Sequence, residues 1–345
     1  MKKATPLTLL IVLLLLSLTM QSCSASATKA PEATVAPIHV NVGILPYISY
    51  APFYIAQDLG YFKEQGLDVE FVSLDQSETA AVVSALIKGQ LDVHSALLDI
   101  SILNAIAKGA RIKFVADKGY NDPNGCDYLV WMAPKALVES GKLNDFKNIV
   151  GMKGAFTPVS SMEYFFDQMV KSAGVSSKDV EITDINPPTR MESLKNGSIE
   201  FASMSEPWVT RSLSSGSVVW QRIQQLMPNF PVSLLFFGTN FLEKNPDAGK
   251  RFMVAYLKAV KTYNEGKTDS NVSIISKYTQ FKPEDLKGMC WQTIRPNGSV
   301  DASKILDFQN WAISKGYAEI PLTSQQVWDP QYIEYANKVL GGSQP

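Results

Sequence analysis

The stretch ALIKGQLDVHSA at residues 85–96 returns in a related form, SLKNGSIEFASM, at residues 193–204. In both copies an apolar helical pattern stops at a glycine, and a short apolar strand follows. Glycine suits the left-handed backbone that ends many helices, because it has no Cβ to clash. The matched pairs are Leu86 and Leu194, Gly89 and Gly197, Leu91 and Ile199, Asp92 and Glu200, and Ser95 and Ser203. This doubled phrase predicts two α/β lobes, and the alternative is two unrelated helix–glycine–strand turns.

The segments around the two copies alternate strands with helices. Around the first copy the pattern predicts strands at 38–45, 67–74, 91–96 and 111–117 and helices at 51–65, 78–88 and 97–109. Around the second copy it predicts strands at 151–156, 179–185, 199–204 and 217–223 and helices at 160–174, 187–197 and 206–216. Ser160 is the expected N-cap of its helix, with Glu163 closing a capping box. Such alternation predicts βαβ units and mostly parallel sheets.

The order of these segments predicts a chain that passes twice between the lobes. After a strand that starts at 231, residues 245–340 are almost entirely helical and offer no further βαβ unit. We therefore expect lobe 1 at 38–128, lobe 2 at 129–234, and a return to lobe 1 with a helical tail at 235–345. The crossings are expected near 116–128 and 232–239, and two crossings would form a hinge.

The first 37 residues have the pattern of an export signal and a tether. A basic MKK start and an apolar run at 7–20 are typical of a signal peptide, and the run is short for a membrane span. Ser22 before Cys23 resembles the lipobox of bacterial lipoproteins, which predicts a signal peptide at 1–22 and a lipid anchor on Cys23. A plain secretory signal is the alternative. Residues 23–37 are expected to form a flexible tether on the outer face of the cell membrane.

The composition argues against several classes of protein. The 345-residue chain is 46% hydrophobic with a formal net charge of −1, and it has no basic stripe that would predict a nucleic-acid partner. It has two histidines, His39 and His94, and no CxxC pair, so no metal site is expected. His94 is expected to be a satisfied core histidine. Cys126 and Cys290 form either a disulfide or two buried thiols.

Four segments resemble a known family. They are APFYIAQDLGYFKEQGLDVEFV at 51–72, ALIKGQLDV at 85–93, FKNIVGMKGAF at 146–156 and SLKNGSIEFASMSEPW at 193–208. Together they resemble the solute-binding proteins of ABC importers in the sulfonate, nitrate, taurine and thiamine-precursor class. The resemblance implies the two-lobe periplasmic-binding-protein type II fold, with an α/β sheet flanked by helices in each lobe and a two-crossing hinge. It also implies a monomer without a cofactor that passes a small molecule to a permease and its ATPase.

Ligands of open α/β sheets bind beyond the carboxyl ends of the strands. Here those ends fall at 46–50, 95–99, 157–161 and 205–208. The polar candidates there and in the first crossing are Ser49, Ser95, Asp99, Asp122, Thr157, Ser160, Ser161 and Glu206. The aromatic candidates are Tyr47, Tyr50, Tyr120 and Trp208. Three cations are nearest to these ends, Lys118, Arg190 and Arg211, and none is predicted to be well placed.

Four aromatic candidates with few charges favour a flat heterocycle held by stacking and a few hydrogen bonds. Among ligands of the family this favours riboflavin, followed by a thiamine-pyrimidine precursor. One alternative is an oxyanion, such as an alkanesulfonate, taurine or nitrate. The alternative from another class is an enzyme of thiamine-pyrimidine synthesis, which shares the fold and whose site is rich in Cys with a His and a Lys. We find no catalytic constellation and expect a binding protein.

Overall fold

The computed structural model describes residues 36–74 and 79–341. The predicted signal peptide, Cys23 and almost all of the tether lie outside these residues. Among the described helices, none combines the length and apolar character needed to cross a membrane.

The first sheet contains five strands in the order β2-β1-β3-β10-β4. They are β1 (Ile38–Ile44), β2 (Leu67–Ser73), β3 (Val93–Leu97), β4 (Lys113–Tyr120) and β10 (Pro231–Phe237). Strand β1 is parallel to β2 and β3, whereas β10 is antiparallel to β3 and β4.

The second sheet repeats this order as β7-β6-β8-β5-β9. Its strands are β5 (Leu129–Pro134), β6 (Lys153–Ala155), β7 (Glu181–Thr183), β8 (Phe201–Ser205) and β9 (Ser217–Arg222). Strand β6 is parallel to β7 and β8, and β5 is antiparallel to β8 and β9. The predicted two-lobe α/β fold is confirmed, but the sheets are mixed. In each sheet the antiparallel strand is the first one formed after the chain arrives from the other sheet.

Helices flank the strands of both sheets. In the first lobe they are α1 (Ala51–Asp58), α2 (Tyr61–Glu64), α3 (Thr79–Lys88) and α4 (Ile100–Ala107). In the second they are α5 (Lys135–Glu139), α6 (Ser161–Val170), α7 (Pro187–Asn196), α8 (Trp208–Ser214) and α9 (Ile223–Leu226). The C-terminal helices are α10 (Pro246–Tyr263), α11 (Asp269–Thr279), α12 (Pro283–Gly288), α13 (Ala302–Ser314), α14 (Ser324–Val327) and α15 (Gln331–Val339). The single helix predicted at 51–65 is divided because Gly60 takes a left-handed φ of 75°.

The doubled phrase has the same structure in both lobes. Gly89 and Gly197 have φ values of 71° and 76°, and the strands that follow them, β3 and β8, hold the same place in their sheets. The acidic residue of each copy accepts a backbone N–H from the neighbouring parallel strand. Asp92 accepts from Asn41 in β1 at 2.7 Å, and Glu200 accepts from Lys153 in β6 at 2.8 Å. These matched contacts support two related lobes rather than two unrelated turns.

Two crossings join the lobes, at residues 121–128 and 227–230. The second lies before the predicted 232–239, because β10 already pairs with the first sheet from Pro231. The predicted end of lobe 2 at 234 therefore falls inside β10. The crossings bind each other: Asn229 N–H donates to Asn121 O at 2.7 Å, and Asn121 N–H donates to Phe230 O at 3.0 Å.

The two cysteines left open by the sequence form a disulfide. Cys126 in the first crossing is bonded to Cys290, which follows α12, and their Cα atoms are 5.7 Å apart. The bond ties the crossing to the C-terminal part of the chain.

The C-terminal segment contacts both lobes rather than returning to lobe 1 alone. Helix α10 packs on α1 and α15, but α13 lies against both α4 and α6. Just beyond α13, Lys315 forms ion pairs with Asp167 and Glu163 of α6. These contacts add a third link between the lobes to the two crossings.

Glu163 does not close the predicted capping box. Its carboxylate accepts from Val159 N–H at 2.8 Å, one residue before the N-cap Ser160.

Candidate functional site

A cavity of about 480 Å³ lies between the two sheets, a volume typical of a small-molecule site. Loops at the ends of strands from both lobes form its walls. The lobes touch beside it, where Ser161 N–H donates to Leu98 O at 3.3 Å and Asp99 pairs with Ser160 as an isolated β-bridge. Much of the wall is apolar and includes Leu45, Leu74, Val82, Val83, Ile102 and Phe236. The cavity suits a compact solute with an apolar part.

Half of the predicted site residues line this cavity. They are Tyr47, Ser49, Tyr50, Asp99, Thr157 and Ser160. Two of them are occupied in capping helices: Asp99 accepts Ser101 N–H at the start of α4, and Ser160 accepts Met162 N–H at the start of α6. Their side chains thus satisfy backbone amides at the starts of these two helices.

The other predicted residues lie elsewhere. Ser95 and Ser161 are buried outside the cavity wall, and Tyr120 and Asp122 line a separate space of about 20 Å³ beside the first crossing. Glu206 is buried, where it accepts Thr210 N–H at 3.1 Å and Cys290 N–H at 3.1 Å. Its carboxylate holds the start of α8 and the C-terminal segment together.

Three of the four rings expected to stack on a ligand are covered by cations of the protein. Lys118 Nζ lies 3.8 Å from the centre of the Tyr50 ring, and the guanidinium of Arg295 lies 3.8 Å from that of Tyr120. The Arg211 guanidinium lies 4.6 Å from the centre of the Trp208 ring, and Trp208 is not part of the cavity wall. Cation–π contacts thus occupy faces of the rings on which the predicted heterocycle depended.

Lys118 lines the cavity near the end of β4, so the prediction that it is poorly placed is wrong. Its side chain is buried, with 2% of the residue exposed. Its ammonium donates to Ser49 Oγ at 3.0 Å and rests on the Tyr50 ring, and it forms no ion pair within the described ranges. Burial lowers the pKa of Lys118 to about 7, because desolvation disfavours the charged form.

Arg190 also lines the cavity, contrary to the prediction, and enters it from α7 in the other lobe. Its three nitrogens are all engaged. Nε donates to Ile185 O at 2.7 Å, Nη1 donates to Ser203 Oγ at 3.0 Å, and Nη2 donates to Thr157 Oγ1 at 3.2 Å. Nη2 also lies 3.6 Å from the Asp184 carboxylate. Burial lowers the pKa of Arg190, and Asp184 opposes this shift.

His94 is a satisfied buried histidine, as expected, but it also forms part of the cavity wall. Its Nδ1 lies 3.0 Å from Gly43 O, so this nitrogen donates to the carbonyl. Burial lowers the pKa of His94 to about 4, which leaves the ring neutral at pH 7. No three His, Cys, Asp or Glu side chains of the described chain are grouped to hold a metal ion.

Two signals in the sequence point to the missed cations. The strand predicted at 111–117 stops one residue before Lys118, and β4 continues to Tyr120. A longer strand would have placed Lys118 at a strand end. When the alignment of the doubled phrase is extended three residues towards the N-terminus, Arg190 is aligned with Val82, and both line the cavity.

Comparisons with known proteins agree with this fold. A bicarbonate-binding protein of Synechococcus is 23% identical over 239 residues, which cover 64% of this chain and 52% of that protein. The chain thus spans about half the length of that relative. A 4-amino-5-hydroxymethyl-2-methylpyrimidine phosphate synthase of Saccharomyces cerevisiae is 23% identical over 318 residues, 87% of this chain and 86% of the enzyme.

A solved structure has the same architecture. The ligand-binding component of an ABC-type import system from Staphylococcus aureus superposes with a TM-score of 0.70 at 15% identity, covering 87% of this chain and 99% of that one. This likeness shows the fold. The NMT1/THI5-like family model matches residues 48–265, more than half of the chain. The chain belongs to the NMT1/THI5-like family.

Proposed function

We propose that this protein is the extracytoplasmic solute-binding component of an ABC importer and that its solute is a small organic anion. The observation that carries the proposal is the buried ammonium of Lys118, which faces a cavity between two lobes and has no ion-pair partner in the described chain. A buried charge without a partner is unfavourable, so an anionic group that enters the cavity relieves a cost already present in the folded protein.

The shape of the cavity supports an organic anion over a bare inorganic one. A volume of about 480 Å³ exceeds the needs of nitrate or bicarbonate, and the apolar wall offers burial to a short hydrocarbon chain. A charged head near Lys118 with an apolar tail along Leu74, Val83 and Ile102 fits both parts. The bicarbonate-binding relative and the ABC-type structural neighbour support the transport role and the sign of the charge.

The heterocycle predicted from the aromatic residues has lost its main support, because Tyr50, Tyr120 and Trp208 are covered by cations. Riboflavin and a thiamine-pyrimidine precursor therefore serve as competitors in the test. The synthase alternative draws on the yeast relative and on the presence of His94 and Lys118 in the cavity. Against it, Cys126 and Cys290 are bonded to each other, and neither lines the cavity.

A thermal-shift panel tests the proposal. The purified chain without its signal peptide is heated with butane-1-sulfonate, taurine, bicarbonate, nitrate, riboflavin or an aminopyrimidine. Binding at a hundred times Kd stabilises the folded state by about 2.7 kcal/mol, which raises Tm by several degrees. We expect a shift with butane-1-sulfonate that is lost in Lys118→Met and retained in Lys108→Met, a change on the exposed end of α4. A shift with riboflavin and none with any anion would replace the proposal by the heterocycle.

The proposal includes a lipid anchor on Cys23, supported by the basic start, the apolar run and Ser22 before the cysteine. A single diacylglycerol carries two acyl chains, which suffice for stable membrane attachment. Replacing Cys23 with Ser should move the protein from the membrane fraction to the soluble fraction after expression in a bacterium with lipoprotein processing. A Cys23→Ser protein that stays in the membrane with unchanged mass would remove the anchor from the proposal.

A further inference from the structure

The two buried cations of the cavity differ in how many of their donors the protein already uses. All three nitrogens of Arg190 are engaged by Ile185 O, Ser203, Thr157 and Asp184. A ligand that binds Arg190 has to displace some of these partners. The guanidinium is therefore part of the wall, and it holds the start of α7 against β8.

Lys118 uses much less of its hydrogen-bonding capacity. An ammonium has three N–H donors, and among the described residues only Ser49 Oγ accepts from this one. The Tyr50 ring covers one side of the group, and the cavity lies on another. An anion can bind here without breaking an existing ion pair.

We infer that Lys118 is the residue that holds the anionic group and that it takes up a proton as the anion binds, so capture of the solute is coupled to proton uptake. This inference rests on the proposed function. Geometry supplies the reason: Lys118 is buried and has no ion-pair partner among the described residues, so its charged form is costly, and an anion beside it removes that cost. Binding of the anion and binding of the proton then favour each other.

Other titratable groups surround Lys118, and each has to be compared with it as the group that takes up the proton. Near the group are Tyr50 and Tyr47 from the loop after β1, Tyr128 through Ser49, and neutral His94 from β3. Two carboxylates, Asp99 and Asp184, line the same cavity and form no ion pair with Lys118. On the opposite face of β4, Asp117 pairs with Arg295 at 3.1 Å, and Tyr256 donates to the Asp117 carbonyl. Asp117 therefore needs its own control, because burial raises its pKa to about 7 as well.

The coupling has a defined size and direction. With a lysine pKa of about 7 in the empty protein, roughly half a proton is taken up per anion at pH 7, about one at pH 8.5 and almost none at pH 5.5. The affinity for a permanently charged anion should fall by about 30-fold between pH 5.5 and pH 8.5 by the same linkage.

Isothermal titration with butane-1-sulfonate tests this, because a sulfonate does not titrate between pH 5 and pH 9 and every exchanged proton then belongs to the protein. Titrations at pH 7 and 8.5 in triethanolamine and in Tris, two buffers that are not anions and whose ionisation enthalpies differ, give the number of protons from the difference in heat. We expect proton uptake in the intact protein and in Asp117→Asn. We expect Lys118→Arg, which is always charged, to bind without uptake and with an affinity that does not change with pH.

The outcomes separate the inference from the proposed function. Binding of butane-1-sulfonate with the same heat in both buffers and no change in affinity with pH overturns proton coupling and leaves the binding function. Uptake that persists in Lys118→Met, or that vanishes in Asp117→Asn, assigns the proton to another group and also overturns the inference. The absence of any binding by butane-1-sulfonate and taurine overturns the proposed function, and the inference with it. Circular dichroism of each variant confirms that it is folded before it is titrated.

Discussion

The two copies of the doubled phrase are alike where they build the sheet and different where they face the cavity. Gly89 and Gly197 both end a helix in the left-handed region, and Asp92 and Glu200 both accept a backbone N–H of the neighbouring parallel strand. These are the positions that set the register of β3 and β8. They are conserved between the lobes because both sheets need the same local geometry.

The cavity-facing positions of the two copies have diverged. Three residues before the second copy lies Arg190, three residues before the first lies Val82, and both line the cavity. Ser203 Oγ accepts from Arg190, whereas the hydroxyl of Ser95 is buried with no hydrogen-bond partner in the described structure. At this aligned position lobe 1 presents the apolar Val82, whereas lobe 2 presents a guanidinium whose three nitrogens are bound within its own lobe. The comparison teaches that the two lobes share the local geometry of their sheets but present different side chains to the cavity.

The largest effect is expected from removing Lys118, the buried cation with no ion-pair partner in the part of the chain that the structure describes. The pKa of Lys118 is about 7 in the folded protein, below its ordinary 10.5, so the unfolded chain binds the proton more tightly. The lysine therefore costs stability in full below pH 7, and the cost declines as pH rises from 7 to 10.5. Lys118→Met should raise the free energy of unfolding by about 3–5 kcal/mol at pH 6 and by about 2 kcal/mol at pH 9.

Urea denaturation at the two pH values measures this gain, with Lys108→Met as the exposed control. Asp117 is present in both proteins of each comparison, so its own titration cancels. A loss of stability in Lys118→Met at pH 6 would mean that the ammonium has a partner that the geometry does not show.

The next effect distinguishes Arg190 from its counterpart. Arg190→Met leaves Ser203 and the carbonyl of Ile185 without a donor, and unsatisfied buried groups cost about 1–3 kcal/mol each. Val82→Ala removes two methyl groups from the same place in lobe 1, at about 1.6 kcal/mol for the lost burial. We expect Arg190→Met to destabilise the protein by about 2–4 kcal/mol and by more than Val82→Ala. If urea denaturation gives Val82→Ala the larger loss, Arg190 is not the saturated structural group described above.

The smallest effect concerns the shared acidic position. Asp92 is buried and also accepts from the Asn240 amide at 2.8 Å, whereas Glu200 is half-buried. Asp92→Ala should lower the free energy of unfolding by about 1–3 kcal/mol, because it leaves buried donors without an acceptor. Glu200→Ala should lower it by less than about 1 kcal/mol, because water can replace the carboxylate. Equal losses of unfolding free energy in urea denaturation would show that the difference in burial between Asp92 and Glu200 does not determine the cost of removing them.

The sequence predicted the lobes because their signal is local. Helical periodicity, a terminal glycine and a short apolar strand are all read within twelve residues. The pattern did not predict β5, because residues 129–133 form a continuous buried apolar run without alternation, and its antiparallel place depends on β8 and β9. The C-terminal contact between Lys315 and α6 joins residues too distant in the chain to be paired by pattern.

The sequence predicted the position of the cavity but only some of the side chains that line it. Strand ends identified Tyr47, Ser49 and Tyr50 because the position of a loop follows from the end of a strand. On Tyr120 and Trp208 a guanidinium of the protein already covers one face of the ring. Arg211 lies three residues after Trp208 on one helix, a spacing that predicts their contact. Arg295 contacts Tyr120 from a distant segment of the chain, and no local sequence pattern predicts this contact.

A crystal of the protein with 3-bromopropane-1-sulfonate is the most direct test of the account. The anomalous signal of bromine locates the tail, and the sulfonate density locates the head. The account predicts one molecule between the two sheets, with a sulfonate oxygen about 3 Å from Lys118 Nζ and the bromine against the apolar wall near Val82 and Ile102. A sulfonate that instead displaces the partners of Arg190, or a molecule bound outside the cavity, would contradict the claim that Lys118 is the anion-binding residue.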